Sequence, residues 1–202
     1  MQLKKIIIGS AISIGVIIVI VIYGMGFFLE PVIFSENLNF LFTFGKEDSG
    51  DGEFTYTTRI LVDDSAKIYV TDTENNRIQV FDPSGEFLFK FGKEGSGDGE
   101  FDNPYDIALD KFGRLYVVDI YNNRIQVFDP SGNFLFKFGY YCDLNERVDS
   151  DDSGSLELCD GGFIYTHGIA VDNSNRIYVL DYGNNRVQVY EWQESIDIED
   201  VK

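Results

Sequence analysis

The stretch NNRIQVFDPSGEFLFKFG (75–92) returns 47 residues later as NNRIQVFDPSGNFLFKFG (122–139), with 17 of 18 positions identical. The preceding GKEDSGDGEF (45–54) returns as GKEGSGDGEF (92–101) at the same spacing. A third, more diverged copy carries NNRVQVYEW (184–192), 62 residues after the second, and so contains a 15-residue insertion. Internal repetition at a fixed period therefore decides the fold.

Each copy is predicted to form four short strands, because apolar and polar residues alternate between turn signals. In DPSG (82–85), Asp, Pro and Gly take the first, second and fourth positions of a type I turn. Asn122 and Asn123 lie between the second and third strands, where Asn tolerates left-handed backbone. Four-stranded units at this period are typical of β-propeller blades. In the second copy the predicted strands are 106–110, 114–119, 125–129 and 134–139.

The string D-x-x-N-N-R-[IV]-Q-V occurs at Asp72–Val80, Asp119–Val127 and Asp181–Val189. With the G-I-A-V-D-like strand before it, this string closely resembles the NHL repeat, over about residues 39–192. The resemblance implies an all-β propeller, usually of six blades. It implies less about activity, since NHL-type propellers include lyases, RNA-binding domains and extracellular sensor domains.

The chain holds strands for only about three blades. LNFLFTFG (38–45) aligns with the fourth strand of a blade, two complete sets follow, and the last copy stops after its third strand, VQVYEW (187–192). We therefore predict twelve strands in a partial propeller over residues 39–193, with an insertion at 140–162.

Three blades leave two open apolar flanks, which favours association. One hypothesis is a homodimer that closes a 3+3 ring, in which the leading strand 39–45 of one chain completes the last blade of the other. The alternatives are a truncated gene product and pairing with another propeller chain.

Residues 6–29 are 24 consecutive residues without a charge, enough for about 36 Å of helix. Lys4 and Lys5 precede this run, so we predict a single-pass transmembrane anchor with residues 1–5 in the cytoplasm and the propeller outside the cell membrane. A cleaved signal peptide is the alternative. Residues 30–38 are predicted as a linker, and 194–202 as an acidic disordered tail.

The net charge is −18, and the residues after the predicted anchor carry −20 once Lys4 and Lys5 are set aside. Such an acidic domain repels phosphate backbones, so nucleic acid is not an expected partner. Divalent cations and basic partners are compatible with this charge.

His167 is the only histidine, and the sequence contains no G-x-S-x-G motif. We therefore expect a binding, scaffold or sensor module for a protein or small ligand rather than an enzyme. The alternative is a metal-dependent lyase or lactonase-like hydrolase, which would need several converging ligands. Loop residues that vary between copies form the candidate ligand surface: Arg59, Tyr105, Asp106, Tyr121, His167 and Tyr182.

Two kinds of structural contact are predicted, an ion pair within each repeat and a disulfide across the insertion. In every copy an Asp precedes an Arg by five positions, as in Asp119 and Arg124, which predicts a structural ion pair. Cys142 and Cys159 flank the insertion and are predicted to form a disulfide in an oxidising compartment. Between them lies a loose calcium-loop pattern, for which a plain acidic loop is the alternative; its possible ligands are Asp149, Asp151, Ser153, Glu157 and Asp160.

Overall fold

The computed structural model describes residues 17–23, 26–32, 39–144 and 159–192. The chain divides into two compact units, Met1–Phe42 and Thr43–Lys202. The predicted tail 194–202 lies outside the described residues, as do most of the insertion and most of the linker.

Two strands are described in the first unit. Strands β1 (Ile17–Tyr23) and β2 (Gly26–Val32) pair antiparallel, with Ile17 opposite Val32 and Tyr23 opposite Gly26. The predicted transmembrane helix 6–29 is therefore not found where the structure describes this stretch. The run of β-branched Ile and Val residues favours strands, because both residues pack well in a sheet.

No helix within the described part of the chain is long and apolar enough to cross a membrane. Residues 6–16 lie outside that part, and membrane anchorage stays a prediction.

The second unit contains three antiparallel sheets, here named blades 1, 2 and 3, each built in sequence order. Blade 1 consists of β3 (Thr57–Val62), β4 (Ile68–Asp72), β5 (Arg77–Phe81) and β6 (Phe87–Phe91). Blade 2 consists of β7 (Pro104–Leu109), β8 (Leu115–Asp119), β9 (Arg124–Phe128) and β10 (Phe134–Phe138). Blade 3 consists of β11 (Thr166–Val171), β12 (Ile177–Asp181) and β13 (Arg186–Tyr190). The partial propeller predicted from the repeats is confirmed.

The twelfth predicted strand is absent from the described residues. Residues 39–46 are described and form no strand, so the three blades contain eleven strands. A strand needs a neighbour to accept and donate its backbone hydrogen bonds, and the three-stranded blade 3 of the same chain does not pair with this segment. The alternating pattern of this segment therefore predicted a strand that the described residues do not form.

The turns follow the predicted chemistry. The Gly85 N–H donates to the Asp82 carbonyl at 3.0 Å, which closes the predicted turn at 82–85. The second Asn of each Asn–Asn pair takes the left-handed conformation, with φ values of 52°, 51° and 52° at Asn76, Asn123 and Asn185. These residues set the tight connection between the second and third strands of each blade.

The apolar core lies between neighbouring blades. One buried cluster joins blades 1 and 2 and consists of Tyr69, Ile78, Val80, Phe101, Ile107, Leu115, Val117 and Phe128. A second cluster joins blades 2 and 3 and includes Tyr116, Val118, Ile125, Val127, Phe163, Ile169, Ile177 and Val179. Each blade is therefore stabilised mainly by its neighbours rather than by a core of its own.

A buried carboxylate organises each blade. In blade 2 the Asp119 carboxylate accepts hydrogen bonds from Arg124 Nε at 2.7 Å and from the Asp102 N–H at 2.7 Å. Asn122 and Gln126 also donate to it. Burial raises the pKa of Asp119, while the donated hydrogen bonds and the charge of Arg124 act in the opposite direction. The predicted Asp–Arg pair is confirmed and recurs as Asp72–Arg77 at 2.6 Å and Asp181–Arg186 at 2.8 Å.

Replacement of Asp119 by Ala should lower the free energy of unfolding by about 3–5 kcal/mol, because the buried Arg124 charge loses its counter-ion. The matched control is Asp98→Ala, whose partner Lys137 lies 2.6 Å away in a pair that is about half exposed. That change should cost about 0–1 kcal/mol. Urea titration of the full chain measures both, and equal losses would contradict the structural role of Asp119.

Candidate functional site

The three blades present their loops at a common end. The first residue of the innermost strand lies opposite the last residue of the second strand in every blade, as in Pro104 opposite Asp119. The loops after β4, β8 and β12 therefore lie beside the segments that enter β3, β7 and β11. We call this the tyrosine end, after Tyr56, Tyr105, Tyr121, Tyr165 and Tyr182.

Asp106 connects the innermost strands of all three blades. Its carboxylate lies on β7 and accepts hydrogen bonds from Arg59 of β3, through Nε and, at 2.9 Å, through Nη2. It also accepts the N–H of Ile107 at 2.8 Å and the N–H of Ile169 of β11 at 2.9 Å. The hydrogen bond and the charge of Asp106 raise the pKa of Arg59. Arg59 and Asp106, both predicted as ligand-surface residues, are thus also a structural link between blades.

Three predicted residues form a continuous row of rings. Tyr105 of β7 stacks on His167 of β11 with ring centroids 5.1 Å apart. The other face of His167 stacks on Tyr182 at 4.4 Å, with an angle of only 8° between the ring planes. The lone histidine is therefore held between two tyrosines that lie far apart in sequence.

Hydroxyl groups fix the backbone beneath this row. Thr58 donates to the Tyr105 carbonyl at 2.5 Å, and Thr73 donates to the Pro104 carbonyl at 2.9 Å. Both threonines belong to blade 1 and both carbonyls to blade 2. The position of Tyr105 is consequently set by the neighbouring blade.

Tyr121 is the sixth predicted residue, and it lies in the loop between β8 and β9 at the same end. Its side chain is exposed, and its N–H donates to the Asp102 carbonyl at 3.2 Å. The structure thus places five of the six predicted residues in the Arg59–Asp106 pair and in the row of Tyr105, His167 and Tyr182, with Tyr121 in the adjacent loop.

The sequence reasoning missed Tyr56 and Tyr165. Both are exposed and immediately precede an innermost strand, with φ values of 52° and 48°. Asn103 takes the same place in blade 2, with φ of 66°. Left-handed backbone is uncommon for a bulky residue and frequent for Asn. Aligning the three copies at this position is the signal that would have found them.

The insertion is closed by the predicted disulfide between Cys142 and Cys159, which are both buried. Asp149, Asp151, Ser153 and Glu157 lie outside the described residues, so the calcium prediction is not tested.

Asp160 is described and exposed, and its Oδ1 lies 3.9 Å from Arg186 Nη1. Among the residues that the structure describes, no group of three or more His, Cys, Asp or Glu side chains is placed to hold a metal ion.

Reduction of the disulfide should lower the free energy of unfolding by about 3 kcal/mol, because it releases a loop whose ends are 17 residues apart. Urea titration with and without reductant measures this difference. The Cys142→Ser/Cys159→Ser double variant is the control and should be insensitive to reductant. An unchanged midpoint for the native chain on reduction would contradict a stabilising role.

Antiparallel blades joined through their innermost strands define the class of this protein as a β-propeller, with a tyrosine-lined loop end. A family model described as a 6-bladed beta-propeller matches residues 59–138, and an NHL-repeat model matches residues 159–190. These two matches support the NHL-repeat β-propeller family over the matched residues.

Individual relatives match only part of their own length. Protein lin-41 of Caenorhabditis elegans is 49% identical over 45 residues, which cover 22% of this chain and 4% of that protein. A streptogramin B lyase structure has a TM-score of 0.44 and 16% identity, covering 67% of this chain and 40% of the lyase. A Bacteroides thetaiotaomicron protein of unknown function has a TM-score of 0.49 and 17% identity, covering 62% of this chain and 32% of its own. These likenesses carry no inference about activity.

Proposed function

We propose that this chain is a binding scaffold that takes a protein ligand on its tyrosine end. The observation that carries the proposal is the concentration of exposed tyrosines at that end, beside the stacked row of Tyr105, His167 and Tyr182. Tyrosine supplies a large apolar face and a polar tip, and it is enriched among residues that dominate protein–protein binding.

Stacking on His167 holds Tyr105 and Tyr182 in place, which favours binding. Tyr182 is 58% exposed although one face of its ring rests on His167. A side chain already held in its binding conformation loses little conformational entropy when a partner arrives. Arg59 contributes similarly, since its half-exposed guanidinium is fixed by Asp106.

The charge of the chain indicates the chemistry of the partner. With a net charge of −18, the chain attracts basic surfaces over a distance and repels acidic ones. A partner surface with an apolar centre would fit the tyrosines, and a basic rim around that centre would complement the negative charge of the chain. The predicted lyase or hydrolase alternative stays a prediction.

Tyr182→Ala should weaken binding of a partner recovered with the wild-type chain by about 30-fold, the effect of losing about 2 kcal/mol at a central aromatic contact. The matched control is Phe112→Ala, which removes an exposed aromatic ring from the β7–β8 loop at the opposite end. Purified wild-type and variant chains, titrated against that partner, provide the comparison. Equal affinities for wild type and Tyr182→Ala would reject the tyrosine end as the binding surface.

We further propose that the propeller is held outside the cytoplasm by an anchor within residues 6–29. The charge-free run supports this proposal, and so does the disulfide, because disulfides persist in oxidising compartments.

Alkaline carbonate extraction of membranes tests the anchor. The full chain should stay with the membrane pellet, because a charge-free run of 24 mostly apolar residues buries enough surface to resist extraction. A chain lacking residues 1–29 is the matched control and should appear in the supernatant. Release of the full chain would contradict anchorage while leaving the proposed binding surface untouched.

A further inference from the structure

A cavity of about 170 Å³ lies between blades 1 and 2, at the end of these blades opposite to the tyrosine end. Blade 1 contributes the turn between β3 and β4 to its wall. Blade 2 contributes the turn between β7 and β8, together with Pro130 of the turn between β9 and β10. Because a cavity of roughly 150 Å³ is large enough to bind benzene, one small ring fits this space.

The corresponding space between blades 2 and 3 is filled by an indole ring. By the 62-residue spacing of the repeats, Trp192 takes the place in blade 3 that Pro130 takes in blade 2. The Arg114 guanidinium carbon lies 4.2 Å from the centroid of the indole ring, and the indole N–H donates to the Tyr116 hydroxyl at 3.0 Å. Phe136 meets the same ring edge-on at 5.1 Å. This junction is therefore closed by a ring that stacks on a cation and donates a hydrogen bond.

Smaller residues leave the space between blades 1 and 2 open. Pro130 stands in place of the indole of Trp192, and Gly113 stands where blade 3 has Asn175. The turns themselves are alike, since Gly113 and Asn175 both take left-handed backbone, with φ values of 79° and 60°. The cavity therefore results from the side chains that differ between the repeats rather than from a different backbone.

The carboxylates that follow the innermost strands of blades 2 and 3 share one set of donors. Asp110 accepts a hydrogen bond from Arg114 Nε at 2.6 Å, and Asp172 accepts one from Arg176 Nε at 2.8 Å. In both blades the same Oδ2 atom also accepts a tyrosine hydroxyl, at 3.2 Å and 3.0 Å. A guanidinium N–H thus completes the hydrogen bonding of this carboxylate in each of the two blades.

Asp63, the counterpart of these carboxylates in blade 1, lacks the guanidinium donor. Its Oδ2 accepts the Tyr69 hydroxyl at 3.2 Å, and its Oδ1 accepts the backbone N–H groups of Ser65 and Lys67 at 2.8 Å and 2.9 Å. Lysine stands here in place of arginine, and among the residues that the structure describes the Lys67 ammonium makes no ion pair with Asp63. Asp63 and Lys67 both line the cavity. The wall therefore contains a carboxylate oxygen that can accept one more N–H, beside an ammonium group.

We propose that the cavity between blades 1 and 2 binds a small molecule with a planar ring and an N–H donor, of the size and type of indole. The ring occupies the space that Trp192 fills in the next junction, with its face towards Lys67. Its N–H donates to Asp63 Oδ2, in place of the guanidinium donor of the other two blades. An ammonium group attracts an aromatic face, and a hydrogen bond to a charged carboxylate is stronger than one between neutral groups. The cavity is separate from the tyrosine end, and neither proposal depends on the other.

Indole itself is the probe that tests the site. The full chain is labelled with ¹⁵N-glycine in detergent, and the Gly113 amide resonance is followed as indole is added. We expect a saturable shift of the Gly113 resonance, because Gly113 lines the cavity, and no comparable shift of Gly99, which lies in the connection between β6 and β7. A Gly113 resonance that does not move, or that moves without saturating, overturns the proposal.

Two variants introduce the residues that this chain already uses at the next junction. Pro130→Trp fills the cavity with an indole, and Lys67→Arg supplies the missing donor to Asp63. Each should weaken indole binding by at least about 10-fold, since the ligand loses its space or its hydrogen bond. The matched control is Pro83→Trp, the same change in the equivalent turn of blade 1, which does not line the cavity and should leave the affinity for indole unchanged. An unchanged affinity in Pro130→Trp, with circular dichroism like that of the wild type, overturns the site.

Indene has the ring shape of indole without the N–H group and tests the class of ligand. It should bind at least about 10-fold more weakly than indole, because a site that hydrogen-bonds a donor rejects the analogue that lacks it. Equal affinities for indene and indole would overturn the assignment of Asp63 as the acceptor, and with it the proposed class of ligand.

Discussion

The buried carboxylate in each blade is the interaction on which the rest of the architecture depends. Asp119 connects the end of β8 to Arg124 and Gln126 of β9, and it also accepts the N–H of Asp102 on the connection from blade 1. Arg124 then donates to carbonyls of the same connection. The buried charge of Asp119 is tolerated because these groups all donate hydrogen bonds to it. A partly satisfied network would be costly, which is why the same residues recur as a set in each blade.

This cluster also explains why the tyrosine end can vary. The carboxylate fixes the backbone at the start of each innermost strand, and the side chains beside it are then free to differ between blades. Tyr105, His167 and Tyr182 occupy such positions and meet in one row, and Asp106 of β7 holds β11 beside it by accepting the Ile169 N–H. The buried carboxylate therefore explains both why the blades repeat and why the side chains at the tyrosine end can differ between them.

One face of blade 1 and one face of blade 3 are exposed among the described residues. Blade 2 shows how both faces of a blade are covered, while blades 1 and 3 each expose one of those faces. An exposed apolar flank beside an open strand edge favours association.

The sequence by itself determined the blade period, the eleven strands of the three blades, the turns at 82–85 and at the Asn pairs, the Asp–Arg pairs and the disulfide. These features depend on residues within about one repeat, where alternation and turn chemistry act locally. Only the tertiary structure decided that residues 39–46 form no strand, that Asp106 joins three blades, and that His167 stacks on two tyrosine rings. Such contacts depend on how one blade is rotated against the next, and that rotation is set by packing between distant segments rather than by any local pattern.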